Sequence, residues 1–268
     1  MLNLLIIAIV CFLASTLGPL CGIGGGVIIK PIVDSLGVMG MATTSFLSSL
    51  TVLTMSLSTL AQQGWARARH PERPATPYPP TALPLSIGAA TGGVAGKVVF
   101  NAIRGSLGSA ETVGAIQAAV LFALSATTIA YTLLRSRVST LHVEGAVPSA
   151  LIGAVTGAMW AFLGIGGGPF NLVILTLLFS EQTRAAARES ILIIAFSQVA
   201  SLVYTIASGS VPAFEPLMLV MMVAMAVAGS VAGKRIASRI TDRGTDVLYA
   251  LTLIVVMLLC VRNFLVLL

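Results

Sequence analysis

The stretch CGIGGGVIIKP, residues 21–31, places four glycines within five consecutive positions of a strongly apolar sequence. The stretch LGIGGGPFNLV, residues 163–173, repeats its glycine pattern. Because a glycine in a helix interior costs about 1 kcal/mol relative to alanine, each stretch predicts an interrupted helix. The fold must therefore accommodate the same interruption twice, in two apolar surroundings.

The sequence around these glycines is too apolar for a soluble protein. Of its 268 residues, 57% are hydrophobic and 9% are charged, and the mean hydropathy is +1.01, whereas soluble domains carry about 25% charged residues. Uncharged stretches cover residues 1–29, 36–66, 145–180 and 247–261. A helix needs about 20 apolar residues to cross a bilayer core. The composition predicts an all-α polytopic membrane protein with the lipid bilayer as its surroundings.

Charge, cysteine content and motifs argue against several other classes of protein. The net charge of +6 is better explained by basic cytoplasmic loops than by binding to nucleic acid. Cys11, Cys21 and Cys260 have no metal-binding spacing, and no HExxH, catalytic triad or GxxxxGK[ST] pattern occurs. We expect no enzyme activity, no metal and no cofactor.

Ten apolar segments can be marked along the chain. The second and seventh follow the glycine clusters and are too short to span a bilayer comfortably, which predicts half-helices or the arms of re-entrant hairpins. The segments cover approximately residues 2–20, 22–36, 40–64, 80–101, 110–134, 145–163, 167–180, 186–208, 212–236 and 245–266.

The basic residues divide unequally between the two sides of the membrane. One side receives Arg67, Arg69, Arg73, Arg135, Arg137, Arg184, Arg188, Lys234, Arg235, Arg239 and Arg243. The other side receives Lys30, Lys97, Arg104 and Arg262. Because basic loops stay in the cytoplasm, the first side is predicted to be cytoplasmic and both termini to be extracytoplasmic.

The second half of the sequence repeats landmarks of the first half in the same order. GIGGG occurs at 22–26 and 164–168, A-x-x-S at 42–45 and 187–190, and GxVAGK at 92–97 and 229–234. Each half contains five segments, an odd number, so the second half would be inserted upside down. This predicts two inverted repeats, residues 1–138 and 143–268, an arrangement typical of secondary transporters.

The glycines of both motifs are candidates for an anion site. Irregular backbone inside a membrane is tolerated where it is buried or lines a cavity, and the start of a helix offers unpaired N–H donors and a positive dipole end. Close packing of helices is the alternative for these glycines, and it suits the small residues of 88–96 and 224–233 better. The candidate glycines are Gly22, Gly24, Gly25, Gly26, Gly164, Gly166, Gly167 and Gly168.

Polar side chains near the glycines could supply further hydrogen-bond donors. Thr44, Ser45, Asn171, Ser190 and Gln198 lie on the flanking segments, and Ser45 and Ser190 occupy matching positions. Hydrogen bonding between neighbouring helices is the alternative role for each of them.

Four charged residues inside or beside apolar segments are candidates for a charge or coupling role. Lys30 and Asp34 could form an i,i+4 pair or act on the substrate, although Lys30 could also snorkel to the interface. Arg188 and Glu189 could form an ion pair at the cytoplasmic edge or a substrate gate.

The paired GIGGG motifs, the A-x-x-S elements and the late GxVAGK elements together resemble the TauE/SafE family of sulfite and organosulfur-anion exporters. The resemblance covers essentially the whole chain. It implies outward transport of a small anion such as sulfite or sulfoacetate across a bacterial inner membrane, with proton coupling. The chain departs from the family pattern at Val173, where proline is frequent, and at Glu189, where a small or hydroxyl residue is usual. An anion channel and an importer of another carboxylate or oxyanion are the alternatives.

Overall fold

The computed structural model describes residues 2–69, 77–107, 110–165, 167, 169–237 and 239–267. This part of the chain contains ten α-helices and a short 3-10 turn at Arg135–Arg137, and no strand. The helices are α1 Leu2–Cys21, α2 Gly26–Leu36, α3 Met41–Arg69, α4 Ala82–Leu107, α5 Ala110–Leu134, α6 Ala146–Leu163, α7 Phe170–Leu178, α8 Thr183–Ala207, α9 Pro216–Ala237 and α10 Asp242–Leu267.

The predicted all-α membrane fold is confirmed. Eight of the helices are long and apolar enough to cross a bilayer. The other two, α2 with 11 residues and α7 with 9, are the short helices that follow the glycine motifs, as predicted. The largest differences lie at the ends of α3 and α4, which continue to Arg69 and Leu107 and not only to about 64 and 101. The start of α9 also differs, at Pro216 and not near 212, because Pro212 and Pro216 keep the preceding segment extended.

Both short helices turn back toward the side from which their hairpin entered. Gly22 has φ +64°, and Gly25 then lies against the Ala14 backbone, two turns before the end of α1. At the other hairpin, the N–H of Leu141, just before α6, donates to the carbonyl of Leu177 near the end of α7 at 2.7 Å. Of the two alternatives predicted from the sequence, half-helices or the arms of hairpins, the structure has hairpins, in which each short helix runs back along the preceding long helix.

Small residues bring two pairs of helices into backbone contact. On α4, Gly88, Gly92 and Gly96 face the carbonyls of successive turns of α6, at Ala150, Ala154 and Ala158. The increasing numbers on both helices show that α4 and α6 run parallel. On α9, Gly229 and Gly233 face the carbonyls of Phe12 and Thr16 on α1 in the same way. Close helix packing is therefore the role of these glycines.

We expect Gly92→Ala to lower the stability of the protein. A Cβ at Gly92 would collide with the Ala154 carbonyl of α6, and overpacking of this kind typically costs about 1–3 kcal/mol. Gly64→Ala on α3 is the matched control, because a Cβ there has open space within 4 Å and both substitutions gain the same helix propensity. Thermal unfolding in detergent measures the difference. Equal melting temperatures for the two variants would refute the proposed packing.

Candidate functional site

The two glycine motifs meet each other in the interior of the helix bundle. A Cβ at Gly24 would lie 2.9 Å from the carbonyl oxygen of Gly167. A Cβ at Gly26 would collide with the carbonyl of Ile165 and lie 3.1 Å from Ser48 Oγ. Gly24 and Gly26 therefore stand where the two backbones approach too closely for a side chain.

Each loop leads into the N-terminus of a short helix. α2 begins at Gly26 after Gly25, and α7 begins at Phe170 after Pro169, in both cases without a side-chain cap. In the described part of the chain, the backbone N–H groups of Gly25, Gly26 and Phe170 donate to no acceptor. Unpaired N–H groups and the positive end of the helix dipole together favour an anion.

The matching serines reach across to the glycine motif of the other half. Ser190 Oγ on α8 donates to the carbonyl of Gly22 at 2.6 Å. Ser45 Oγ on α3 lies 2.7 Å from the place that a Cβ of Gly164 would occupy. The structure thus places both A-x-x-S elements next to the loops, each beside the first glycine of the opposite motif.

Asn171 takes part in a buried chain of hydrogen bonds that ends at the first loop. Trp160 Nε1 donates to Asn171 Oδ1 at 2.7 Å, and Asn171 Nδ2 donates to Ser190 Oγ at 3.3 Å. The same Ser190 hydroxyl donates to the Gly22 carbonyl. This chain links α6, α7, α8 and the loop after α1, so it fixes the position of one loop relative to the other half.

Lys30 lies beside the second loop and is neutralised by Asp34. Its Nζ lies 2.8 Å from Asp34 Oδ2 and donates to Gln117 Oε1 at 3.1 Å, while its Cε would lie 3.3 Å from a Cβ at Gly164. The lysine side chain is only 7% exposed, so it does not snorkel, and the i,i+4 pair forms. Gln117 Nε2 continues the network to the carbonyl of Phe162 at 2.6 Å.

Among the described residues, three candidates remain: Thr44, Gln198 and Gly25. Thr44 and Gln198 are buried, each with an oxygen that has no hydrogen-bond partner among these residues. Gly25 packs against Ala14 of its own hairpin, away from the opposite loop. Gly166 and Gly168 lie outside the described residues.

Arg188 and Glu189 do not form the ion pair that was one of their two predicted roles. The Arg188 guanidinium lies 5.1 Å from the centre of the Tyr78 ring and donates to the carbonyl of Pro77 at 3.4 Å. Neither carboxylate oxygen of Glu189 has a hydrogen-bond partner among the residues that the structure describes. The gate alternative remains a prediction.

Four polar residues that sequence reasoning missed hold the two hairpins in place. Gln117 and Trp160 belong to the networks above, Tyr249 donates to the carbonyl of Pro169 at 2.5 Å, and Asn263 donates to that of Pro31 at 2.9 Å. Gln117 and Asn263 could have been found as isolated amides in apolar helices, since such residues need partners in a membrane. Within the described residues, no group of three or more His, Cys, Asp and Glu side chains could hold a metal ion.

Comparison with known protein families matches residues 7–262 to the family described as Sulfite exporter TauE/SafE. Neither the curated proteins nor the solved structures gave a significant match. The match spans nearly all of the 268 residues, including both glycine motifs and every helix. The chain therefore belongs to the TauE/SafE sulfite exporter family of membrane transporters.

Proposed function

We propose that the chain exports a small sulfur-containing anion, such as sulfite or sulfoacetate, across a bacterial inner membrane by alternating access. The contact between the two glycine loops would be the substrate site. The observation that carries this proposal is the meeting of two uncapped helix starts inside an apolar bundle, each with a serine from the opposite half.

The chemistry of the loop contact suits an anion that must also be released. Each helix N-terminus contributes about 0.3–1 kcal/mol, and up to about 2 kcal/mol in partly buried geometries. The Ser45 hydroxyl would add a directed donor, while Ser190 fixes the first loop through its bond to the Gly22 carbonyl. Lys30 stands beside Gly164 with its charge held by Asp34. Such a site binds an oxyanion without an arginine, and moderate affinity allows it to be emptied on the far side.

Reciprocal contacts support the proposal that residues 1–138 and 143–268 are inverted repeats. The fourth helix of each half packs through glycines on the first helix of the other half, α4 on α6 and α9 on α1. The two serines likewise contact the opposite glycine motifs. Inverted repeats around a central site are the usual basis of alternating access, in which one repeat rocks against the other. The proposed orientation, with both termini outside, rests on the distribution of basic residues.

We expect sulfite and sulfoacetate to raise the melting temperature of the purified protein, because a ligand that binds only the folded state stabilises it increasingly as its concentration exceeds the dissociation constant. Dimethyl sulfone, a neutral molecule of similar size, is the matched control and should have no effect. The absence of stabilisation by any small oxyanion would contradict the proposed site.

Flux in liposomes distinguishes the transporter from a channel. A transporter that alternates between two sides should catalyse counterflow, the uptake of labelled anion against an internal excess of unlabelled anion. A channel equilibrates the anion without counterflow. Saturable counterflow of sulfoacetate is therefore the expected result, and rapid flux without it would replace alternating access with a channel.

A further inference from the structure

Glu189 is a buried carboxylate in a membrane helix. It lies in the second turn of α8 with 1% of its surface exposed, and neither of its oxygens has a hydrogen-bond donor within the described part of the chain. The other buried charged side chain in the described residues is Lys30, which has Asp34 and Gln117 as partners. Within the described residues, Glu189 is thus the buried charge that has neither a hydrogen bond nor an ion pair.

The position of Glu189 connects it to the loop contact. The next residue, Ser190, donates to the carbonyl of Gly22. Two residues before Glu189, Ala187 packs closely against Gly22. A Cβ at Gly22 would lie 2.5 Å from the Ala187 Cα. Glu189 therefore lies on the turn of α8 that supports the first glycine loop, and its side chain leaves the helix about 100° from that of Ser190.

The ionisable groups around Glu189 come from two neighbouring segments and from α8 itself. Glu181, between α7 and α8, and Arg188 on α8 interact with it electrostatically, and Tyr78, before α4, lies close enough to do so. Burial raises the pKa of Glu181 while Arg188 lowers it. Burial also raises the pKa of Tyr78, whereas Arg188 and Arg67 lower it. Arg188 is held by the Tyr78 ring and the Pro77 carbonyl.

Desolvation of the Glu189 carboxylate and its repulsion of a bound anion both disfavour the ionised form of this residue. An ionised carboxylate without a partner is costly away from water, whereas the protonated acid is far less so. An anion bound at the loops would also be repelled by the ionised form, and this repulsion is strong where water is excluded. Proton binding at Glu189 and anion binding at the loops should therefore favour each other.

We propose that Glu189 is the proton-binding site of the transport cycle and that its proton travels with the anion. The step forms one O–H bond on the carboxylate with a proton taken from water on the loading side. The same bond breaks when the site opens, and the proton returns to water on the release side. This inference rests on the proposed function, because it assumes that the loops bind an anion.

The test uses the full-length protein in liposomes with a pH-sensitive dye inside. Sulfoacetate is the probe because neither of its acidic groups titrates near neutral pH, so that proton movement reports the protein alone. A sulfoacetate gradient across vesicles that contain the wild-type protein should drive protons in the same direction as the anion. In Glu189→Gln, we expect the proton signal to fall to that of protein-free vesicles while sulfoacetate counterflow continues. Glu181→Gln is the matched control and should keep both.

Two results would overturn the proposal: proton movement in Glu189→Gln equal to that of the wild type, or sulfoacetate transport by the wild type without any proton movement. A folded Glu189→Gln protein that loses both counterflow and proton movement would also contradict the proposal, since the residue would then be needed for anion transport itself. If that variant does not fold, Glu189→Thr, which places at 189 the residue found at the matching position 44, carries the same expectations. A wild-type protein that moves no oxyanion at all would instead refute the proposed function.

Discussion

Gly26→Ala is expected to reduce anion counterflow by about 100-fold, the size of loss that a misplacement of about 1 Å produces at a functional site. A Cβ at this position would collide with the carbonyl oxygen of Ile165 in the opposite loop and would press on Ser48 Oγ. The two loops would have to separate, and the helix start at Gly26 would move away from Ile165 and the second loop. Counterflow of labelled sulfoacetate in liposomes measures the loss.

The matched control is Gly40→Ala, in the connection between α2 and α3. A Cβ at Gly40 has open space within 4 Å, so this variant should transport at the wild-type rate. Size-exclusion profiles and melting temperatures of both variants separate a damaged site from a damaged fold. Wild-type counterflow in a folded Gly26→Ala protein would show that the loop contact is not where the anion binds.

The glycine motifs made most of the fold predictable, because a break in an apolar stretch can be read directly from residue types. The short helices α2 and α7 directly follow the GIGGG motifs, and the eight long helices lie where the other eight apolar segments were marked. Close helix packing by the small residues of 88–96 was predictable for the same reason, since glycines at every fourth position form a flat stripe on one helix face. The partner helix, α6, is evident only from the structure.

The direction of the hairpins and the partners of the polar residues were not predictable in this way. A glycine break is compatible with a helix that continues and with one that returns, and the choice depends on contacts such as that of Leu141 with Leu177. Likewise, nothing in the local sequence indicates that Lys30 would find Gln117 on α5 or that Ser190 would find Gly22. These pairs join residues that are far apart in sequence, and they become evident only when the helices are packed.

Glu189 illustrates the same limit for the candidate site. Its position next to Arg188 suggested an ion pair, because neighbouring opposite charges can pair on a helix surface. Successive residues of a helix point about 100° apart, however, so Arg188 faces Tyr78 at the edge while Glu189 is directed into the bundle. The helical period, applied to a known buried face, separates the two residues.

Asp34→Leu is expected to destabilise the protein by about 3 kcal/mol or more, because removing one partner of a buried ion pair leaves the other charge uncompensated. Lys30 would retain only the neutral Gln117 oxygen at 3.1 Å. The double variant Lys30→Met/Asp34→Leu should recover most of this loss, since well-packed apolar residues often replace a buried pair at little cost. Melting temperatures in detergent for the wild type, both single variants and the double variant complete the cycle.

The same four proteins also test whether Lys30 serves the substrate. Its aliphatic chain borders Gly164 beside Ser45, so a small displacement would bring its charge to an anion at the second loop, in exchange for Asp34. In that case the double variant would regain stability but not sulfoacetate counterflow. If stability and counterflow recover together, the pair acts only as a support for the α2 hairpin, and the anion is held by the helix ends and hydroxyls alone.

If the single Asp34→Leu variant is as stable as the wild type, the Lys30 charge is not confined to the ion pair. Water must then reach this charge from the small cavity between α2, α5 and α10, which Lys30 lines together with Gln117 and Asn263.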